Sequence, residues 1–485
     1  MLPNKPTRAA NFSGSRVTAV GAAFSSRSIP LTSLADGLRE TFRSDVTRPV
    51  AWRCDQLAEL TRLLRHEVPT LTDAMATDLG KPELEGWLTD IAAVRRDIEG
   101  ILHHVARWAA PRPVAVPWTL WPGRAQVVPE PLGAVLIISP WNYPVRCLVL
   151  PLAFAIAAGN TAAVKPSELA PATSAALAKL LPSYLDDRAI EVAEGGPEVA
   201  ESLLDQRWDH IFFTGSGRVG RLVMAAAARH LTPVTLELGG KNPAIVDASA
   251  DLDVAARRIV WGKFLNAGQT CVAPDYVLVH SSVEEQFLGA VVARVRDFFG
   301  ADPRLSPALG RVVNEAHMRR LLGMLRDTQA RLVTGGGSLE AEHYLAPTVL
   351  AGVSWEDAVM QEEIFGPVLP VLAYNELGEA LSALKAREKP LALYIYSGDP
   401  RTVDRVIAGS SSGSVCVNHN AIQLAVPGLP FGGVGASGMG AYHGRAGFDT
   451  FSHAKSVLRR PKRGELALMY PPYTRAKRWL LRKVL

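Results

Sequence analysis

The stretch GAVLIISPWNYPVRCLVLPLAFAIAAGNTAAVKPSE, Gly133–Glu168, decides the fold. GAVLIISP is an unbroken apolar strand that ends at a proline. The apolar run CLVLPLAFAIAAGN has the length of a helix and ends at a glycine, and TAAVKPSE is a second strand of the same kind. Strands without polar alternation are buried on both faces, the property of a parallel sheet covered by helices. The pattern continues downstream with helix PATSAALAKLL, strands AIEVAEGG and DHIFFTGS, helix VGRLVMAAAARH and strand VTLELGGK. This order predicts a doubly wound α/β domain. Ligands of such sheets bind at the C-terminal strand ends, here the loops SPWNYP, KPSE, FTGSGRVG and ELGGK.

Upstream, Val50, Trp52, Leu57, Leu60, Leu63 and Leu64 recur at helical spacing, and helices are expected from Leu31 to about residue 110. Residues 1–30 read as a disordered extension. PRPVAVPWTLWPG, Pro111–Gly123, reads as an extended connection leaving the domain. After Asn242 a second α/β unit begins, with strands PAIVD, YVLVH, RLVTGG, VLPVLAY and LALYIYS. Its helices include one before Cys271 and the run from Val283 to Phe299. PFGGVGASGMGAYHG, Pro430–Gly444, is expected to be loop.

A chain of 485 residues, 48% of them hydrophobic, is too long for one core, and two or three domains are expected. Four cysteines in such a chain make no disulfide framework, and no Cys/His cluster has zinc spacing, so the reading is a reduced cytoplasmic protein without a metal centre. The net charge of +5 sits at the ends: four basic residues and no acid precede Asp36, and ten basic residues with one acid follow from Lys455 onward. The body between is acidic, so the basic balance implies no nucleic-acid groove. No run approaches the ~20 apolar residues of a membrane span.

GSGRVG (Gly215, Gly217, Gly220) follows a strand and opens a helix, the context that makes GxGxxG a nucleotide-phosphate cradle rather than a plain turn. Such a fingerprint wants an acid about 20 residues on to hold the ribose, which is Glu237. Glu168, beside Lys165 on an earlier strand end, could grip the ribose instead and leave Glu237 free for chemistry. Periodicity leaves both open. NAGQTC, Asn266–Cys271, places a cysteine after a small, polar, turn-like run, where a free cysteine is unusual unless it reacts.

SPWNYP, KPSE, FTGS, LELGGKNP, NAGQTC, EEIFGP and PFGGVGASGMGAYHG together, in this order, resemble the aldehyde dehydrogenases from about Leu31 to Leu458. WGKFLNAGQTCVAPDYVLV and GMGAYHGRAGFDTFSH resemble the class 3 branch of aromatic, fatty and coniferyl aldehyde dehydrogenases in particular. The resemblance implies two Rossmann-like doubly wound domains plus a small β bridging arm. Residues 31–110 and 132–238 would form the NAD(P)-binding domain and 239–420 the catalytic domain. Residues 111–131 and 421–458 would bridge to a second copy in a homodimer, leaving 459–485 as a basic tail.

It also resolves the ribose conflict: Lys165 and Glu168 hold the adenosine ribose, and Glu237 becomes the general base. Cys271 is then the nucleophile, its thiol pKa expected to be lowered by helix N–H groups or the cofactor's charge. Asn142 and the Cys271 backbone N–H form the oxyanion hole. Gly215, Ser216 and Gly220 line the cofactor's phosphate path, with Gly217 and Arg218 where many members carry Thr-Glu. Glu363 holds the nicotinamide ribose, Phe365 packs on the cofactor, and Trp141 is a further cofactor contact. Tyr143 and Trp261 line the substrate channel or serve as simple core. NAD is favoured because Glu168 repels a 2′-phosphate, with NADP possible. The small-molecule substrate is an aldehyde, aromatic or medium to long in chain, and Glu237 argues against acyl transfer to coenzyme A. Rival readings are a cofactor-independent cysteine hydrolase, with His443 or His453 as partner, and a non-catalytic binding protein on the same fold. In the tail, Ala476, Trp479, Leu480 and Val484 share a helical face beside Arg475, Arg478 and Arg482. That helix either docks on the body or lies peripherally on an anionic membrane surface.

Overall fold

The computed structural model describes residues 30–462, 468 and 470–484. The expectation of a disordered extension therefore falls, apart from Pro30, outside the described residues. The strands read from Gly133–Glu168 are Ala134–Ile138 and Thr161–Lys165, and all ten of their residues are buried. They pair in parallel at the centre of a six-stranded sheet ordered Gly438–Met439, Val234–Leu238, His210–Gly215, Ala134–Ile138, Thr161–Lys165, Ile190–Val192. The helix Arg146–Ala158 between them is buried at every residue from Cys147 onward. It lies between the sheet and the helices Val50–His66, Ala93–Ala109 and Gly444–Thr450. Each such fully buried large aliphatic side chain contributes about 1.5–3 kcal/mol.

A second, seven-stranded sheet runs Arg331–Thr334, Thr348–Ala351, Val368–Tyr374, Tyr276–His280, Pro243–Val246, Ala392–Tyr396, Ser414–Val417, parallel except at its first edge. Two of these strands, Thr348–Ala351 and Ser414–Val417, are absent from the sequence reading. Each has four residues, too few for periodicity to separate them from the loops around them. A third sheet is antiparallel and joins Arg112–Val114, Arg124–Pro131 and Ser452–Arg459. It forms an arm on which Trp118 and Trp121 are 65% and 74% exposed. Of residues 421–458, the turn Ile422–Ala425 lies against the second sheet's edge strand Ser414–Val417, Gly438–Thr450 lies against the first sheet and its helices, and the part from Ser452 enters the arm.

The glycine-rich stretch Pro430–Gly444 is not wholly loop. Gly438–Met439 adds an antiparallel edge strand to the first sheet, Gly438 opposite Glu237 and Met439 opposite Leu236. A Cβ at Gly438, where φ is +134°, would stand 2.0 Å from the Leu236 carbonyl oxygen. Only glycine lets the two backbones approach this closely.

Both parallel sheets end their strands toward loops that carry the expected site residues. The tail forms the helix Arg475–Val484, with Trp479 60% exposed and Leu480 37% exposed. Among the described residues, no helix is long and apolar enough to cross a membrane.

Candidate active site

The sequence reading puts Glu237 in the loop ELGGK at a strand end, and the structure corrects this. It is the fourth residue of strand Val234–Leu238, opposite Thr214 on one side and Gly438 on the other, and Gly239 and Gly240 follow the strand. Its side chain is 2% exposed. Burial lifts its pKa to about 7, partly offset by the Cys271 thiol, the Thr214 hydroxyl and the Arg146 charge. Its Oε1 has no hydrogen-bond partner.

Cys271 lies beyond the C-terminal end of the helix Leu252–Phe264, past a tight turn over Leu265–Gly268. In that turn Asn266 and Ala267 adopt left-handed φ values of 51° and 52°, followed by Gly268 at 78°. Non-glycine residues persist there only when their surroundings over-determine them. Here the determinants are polar side chains turned inward. Gln269 donates to the carbonyls of Asn266 (3.0 Å) and Arg311 (2.9 Å) and accepts from the Val313 N–H (2.9 Å). Asn242 donates to the carbonyls of Cys271 (2.7 Å) and Ala273 (3.0 Å). Asn266 donates to the Asn142 carbonyl at 2.8 Å.

The Cys271 thiol is half-buried, not exposed at a loop tip. Its pKa is raised, contrary to the expectation of a lowered one. Burial is the main cause, followed by the Glu237 carboxyl and the neighbouring Cys147. The helix that leads into this turn presents its C-terminal end, so it supplies no free N–H groups to oppose that rise.

Asn142 is 3% exposed and stands in the turn between strand Ala134–Ile138 and helix Arg146–Ala158. It does not cap that helix: the capping position is Val145, without a side-chain bond. Its Nδ2 donates to the Gln269 carbonyl at 3.1 Å, which brings the amide to the backbone leading into Cys271. Tyr143 is buried beside it, its hydroxyl 2.7 Å from the Thr270 Oγ1 and its ring beneath the Lys81 ammonium. Cys271, Glu237 and the adjacent pair Asn142 and Tyr143 thus come together from three separate stretches of chain.

The residues expected at the cofactor lie at the C-terminal ends of the first sheet's strands and across from them. Lys165 and Glu168 pair with each other at 2.9 Å, the lysine buried and the carboxylate 38% exposed. Ser216 caps the helix Gly217–Ala228, its Oγ accepting from the Val219 N–H. Gly215 has no room for a Cβ, which would meet the Phe213 ring at 2.5 Å. Gly220 is buried against Leu238, so it serves helix–strand packing. The Glu363 carboxyl lies where a Cβ on Gly239 would be, 2.1 Å from its Oε2. Its pKa is pushed up to about 8 by burial and Asp275, against the pull of the Gly240 backbone, Lys241 and Arg320. Phe365, at φ +48°, packs edge-on against Trp141 with ring centroids 5.5 Å apart. A helix N-terminus with small residues, a ribose-sized acid and base, and a glycine bared opposite a carboxylate fit a dinucleotide.

Several side chains that order this region escaped the sequence reading. Asp275 accepts from Lys241 (2.6 Å) and from the Ile364 N–H (3.0 Å), and Arg320 donates to the carbonyls of Glu363 and Ile364. Together they hold the Glu363 loop. Lys81, Asp90 and Glu85 lie under the Asn142 turn. Lys241, Asn242, Asn266, Gln269 and Asp275 stood inside quoted motifs, where their polar character in a buried loop was the available signal; Lys81, Glu85, Asp90 and Arg320 did not. Trp261 is half-buried in a groove of about 290 Å³ with Arg257, Arg258, Phe298 and His419, and packs edge-on with His419. His443 is buried against Phe431 and Tyr442, its pKa lowered to about 3 by burial. His453 is on the arm, opposite Glu130.

Comparison with known proteins gives consistent findings. The family described as the aldehyde dehydrogenase family matches residues 35–457. Aldehyde dehydrogenase family 3 member B3 of Mus musculus is 45% identical over 455 residues, 93% of this chain and 95% of that protein. Among solved structures, a substrate-bound state of a Staphylococcus aureus AldH superposes with a TM-score of 0.90 at 42% identity, covering 93% of this chain and 98% of the other. An indole-3-acetaldehyde dehydrogenase in complex with NAD+ has a TM-score of 0.80 at 28% identity, covering 88% of each chain.

The raised carboxyl at Glu237 sets a pH-dependent stability. The folded pKa of about 7 lies above the ordinary carboxyl value of 4.5, so the unfolded chain loses its proton first. This contribution is fully present below about pH 4.5 and is lost as pH rises through about 7, by about 3 kcal/mol for a shift of this size. Glu237→Gln, neutral at every pH, should therefore unfold at a higher Tm than the parent at pH 8, with the gain shrinking at pH 5. Thermal melts at the two pH values check this, and an equal gain at both would contradict the burial argument.

Proposed function

The chain belongs to the aldehyde dehydrogenase family and is an NAD(P)-dependent aldehyde dehydrogenase; from that premise we propose that Cys271 is its nucleophile, Asn142 its oxyanion donor and Glu237 its general base. The observation that carries this reading is the meeting of Cys271 and Glu237, a thiol and a carboxyl that perturb each other in one buried place. Cys271 attacks as its thiolate, the thiol proton having passed to water, and an S–C bond forms to the aldehyde carbon. The carbonyl oxygen becomes an oxyanion, met by the Asn142 amide and the Cys271 backbone N–H. When bound, the nicotinamide dinucleotide supplies the hydride acceptor that takes this carbon to the acid oxidation level. Cys271 then carries a thioester. Glu237, as carboxylate, takes a proton from water, the oxygen attacks the acyl carbon, the S–C bond breaks and the carboxylic acid leaves. A base with a pKa near 7 is matched to that task at neutral pH.

In this reading Lys165 and Glu168 hold the adenosine ribose, with Gly215 and Ser216 on the phosphates and Glu363 on the nicotinamide ribose. Phe365 and Trp141, already packed together, form a wall for the cofactor. The exposed carboxylate of Glu168 disfavours a 2′-phosphate, so NAD is preferred over NADP. Tyr143 and Trp261 flank the approach to Cys271 and suit flat aromatic or medium- to long-chain aldehydes.

We assign the arm to pairing two copies of the chain, because Trp118 and Trp121 stand exposed on it. The helix Arg475–Val484 suits peripheral contact with anionic lipid, with Trp479 exposed among Arg475, Arg478 and Arg482. Sedimentation separates the two. Trp118→Ser with Trp121→Ser should halve the sedimenting mass, and deletion of 470–485 should abolish pelleting with anionic liposomes. Unchanged mass in the first case, or unchanged pelleting in the second, would remove the corresponding assignment.

Turnover tests the core of the reading. Purified protein with NAD or NADP should reduce the cofactor with benzaldehyde-like, coniferyl-like or medium-chain aldehydes, faster with NAD. Cys271→Ala should abolish this, and Asn142→Ala should lower it by about 10²–10³. Full activity in Cys271→Ala would sink the assignment of the nucleophile.

A further inference from the structure

The mechanism uses Asn142 but not the two charges beneath it. Lys81 and Asp90 are both fully buried, with Nζ and Oδ2 3.0 Å apart. A buried ion pair is a poor stabilising device, because apolar residues of similar volume often serve as well or better. Its position points to another use. The Lys81 ammonium also donates to the Asn142 carbonyl at 2.8 Å. The second oxygen of Asp90 accepts from the Arg146 N–H at 3.1 Å. The pair therefore grips the turn 142–146 at both ends, by the carbonyl where it begins and the amide where it closes.

The same pair reaches the loop of Cys271 by two routes. The Asn142 carbonyl takes a second bond from the Asn266 side chain, and the Asn266 N–H donates to the Glu85 carboxyl at 2.9 Å. The Lys81 ammonium lies 4.1 Å from the centroid of the Tyr143 ring, whose hydroxyl bonds Thr270, the residue before Cys271. Asp90 is delivered by a π-helical turn, Trp87–Ala92. Such turns are rare and occur mostly at functional sites. This one aims the carboxylate inward while Leu88 on the same turn, and Leu84 on the helical turn Glu83–Gly86 just before it, stay exposed.

We propose that Lys81 and Asp90 are positioning residues for aldehyde oxidation: as a buried clamp they fix the Asn142 amide where the carbonyl oxygen acquires its charge. The proposal rests on the reading of Asn142 as oxyanion donor. A displacement of about 1 Å at such a donor can cost about 10²-fold in rate, so a clamp with no contact to substrate has leverage.

The test measures single-turnover NADH formation with enzyme in excess over aldehyde, in Asn142→Ala, in Lys81→Met with Asp90→Leu, and in the three combined. Replacing both charges leaves neither one buried alone, and thermal melts establish that the variant folds. The clamp variant should slow NADH formation by about 10–100-fold. The KM for aldehyde and the alkylation of Cys271 by iodoacetamide, which needs no oxyanion hole, should stay within about twofold. Adding Asn142→Ala to it should cost less than about fivefold, against about 100-fold in the parent, because the amide is already misplaced. Asp90→Asn keeps the shape and the bond to Arg146, and carries the same comparison if the double variant does not fold. Unchanged NADH formation, or full additivity with Asn142→Ala, would overturn the clamp. An Asn142→Ala variant with parental rates would instead overturn the reading of the oxyanion donor, and the clamp with it.

Discussion

A titratable carboxyl held inside a parallel sheet is the constraint on which the rest of the site depends. Glu237 could be satisfied by water if it stood two or three residues later, on the glycines that follow its strand. It stands instead opposite Thr214 and Gly438, in a place where ionisation is disfavoured. The cost of that burial yields a carboxyl that titrates near neutrality, and it raises the thiol of Cys271 as well. The edge strand Gly438–Met439 closes the remaining side. A glycine-rich segment is needed there because any side chain at Gly438 would push the strands apart.

The second sheet contributes the thiol through a backbone that is itself under constraint. Three successive positive φ values between Asn266 and Gly268 turn the chain sharply beyond the helix Leu252–Phe264. Gln269, Asn266 and Asn242 spend their side chains on main-chain carbonyls and amides to hold that shape. The two sheets meet at the Asn142 carbonyl, which accepts from Lys81 and from Asn266 at once. A polar atom with two buried donors is a fixed point, and Asn142 is fixed with it.

Much of this was legible in the sequence, for physical reasons. Strands such as Ala134–Ile138 and Thr161–Lys165 are buried on both faces, so their apolar runs announced a parallel sheet. Ser216 and the glycines around it sat between a strand and a helix, where small residues have a clear purpose. Glu237 was misplaced because LELGG reads equally well as a strand end or a loop start. The edge strand at Gly438 was invisible because two residues carry no period. The thiol's raised pKa was missed because burial is a tertiary property that no local motif encodes. Lys81 and Asp90 are nine residues apart, and what pairs them is a π-helical turn that no spacing rule anticipates.

The most direct test of the central claim is the mass of the protein after one turnover. Glu237→Gln, incubated with a reactive aldehyde and NAD and then quenched in acid, should gain the mass of one acyl group. Peptide mapping should place that group on Cys271, and the parent under the same conditions should have cleared it. That outcome would establish a thioester on Cys271 whose hydrolysis needs Glu237. NADH formed in Glu237→Gln without an acyl adduct, or an adduct on any other residue, would contradict the account.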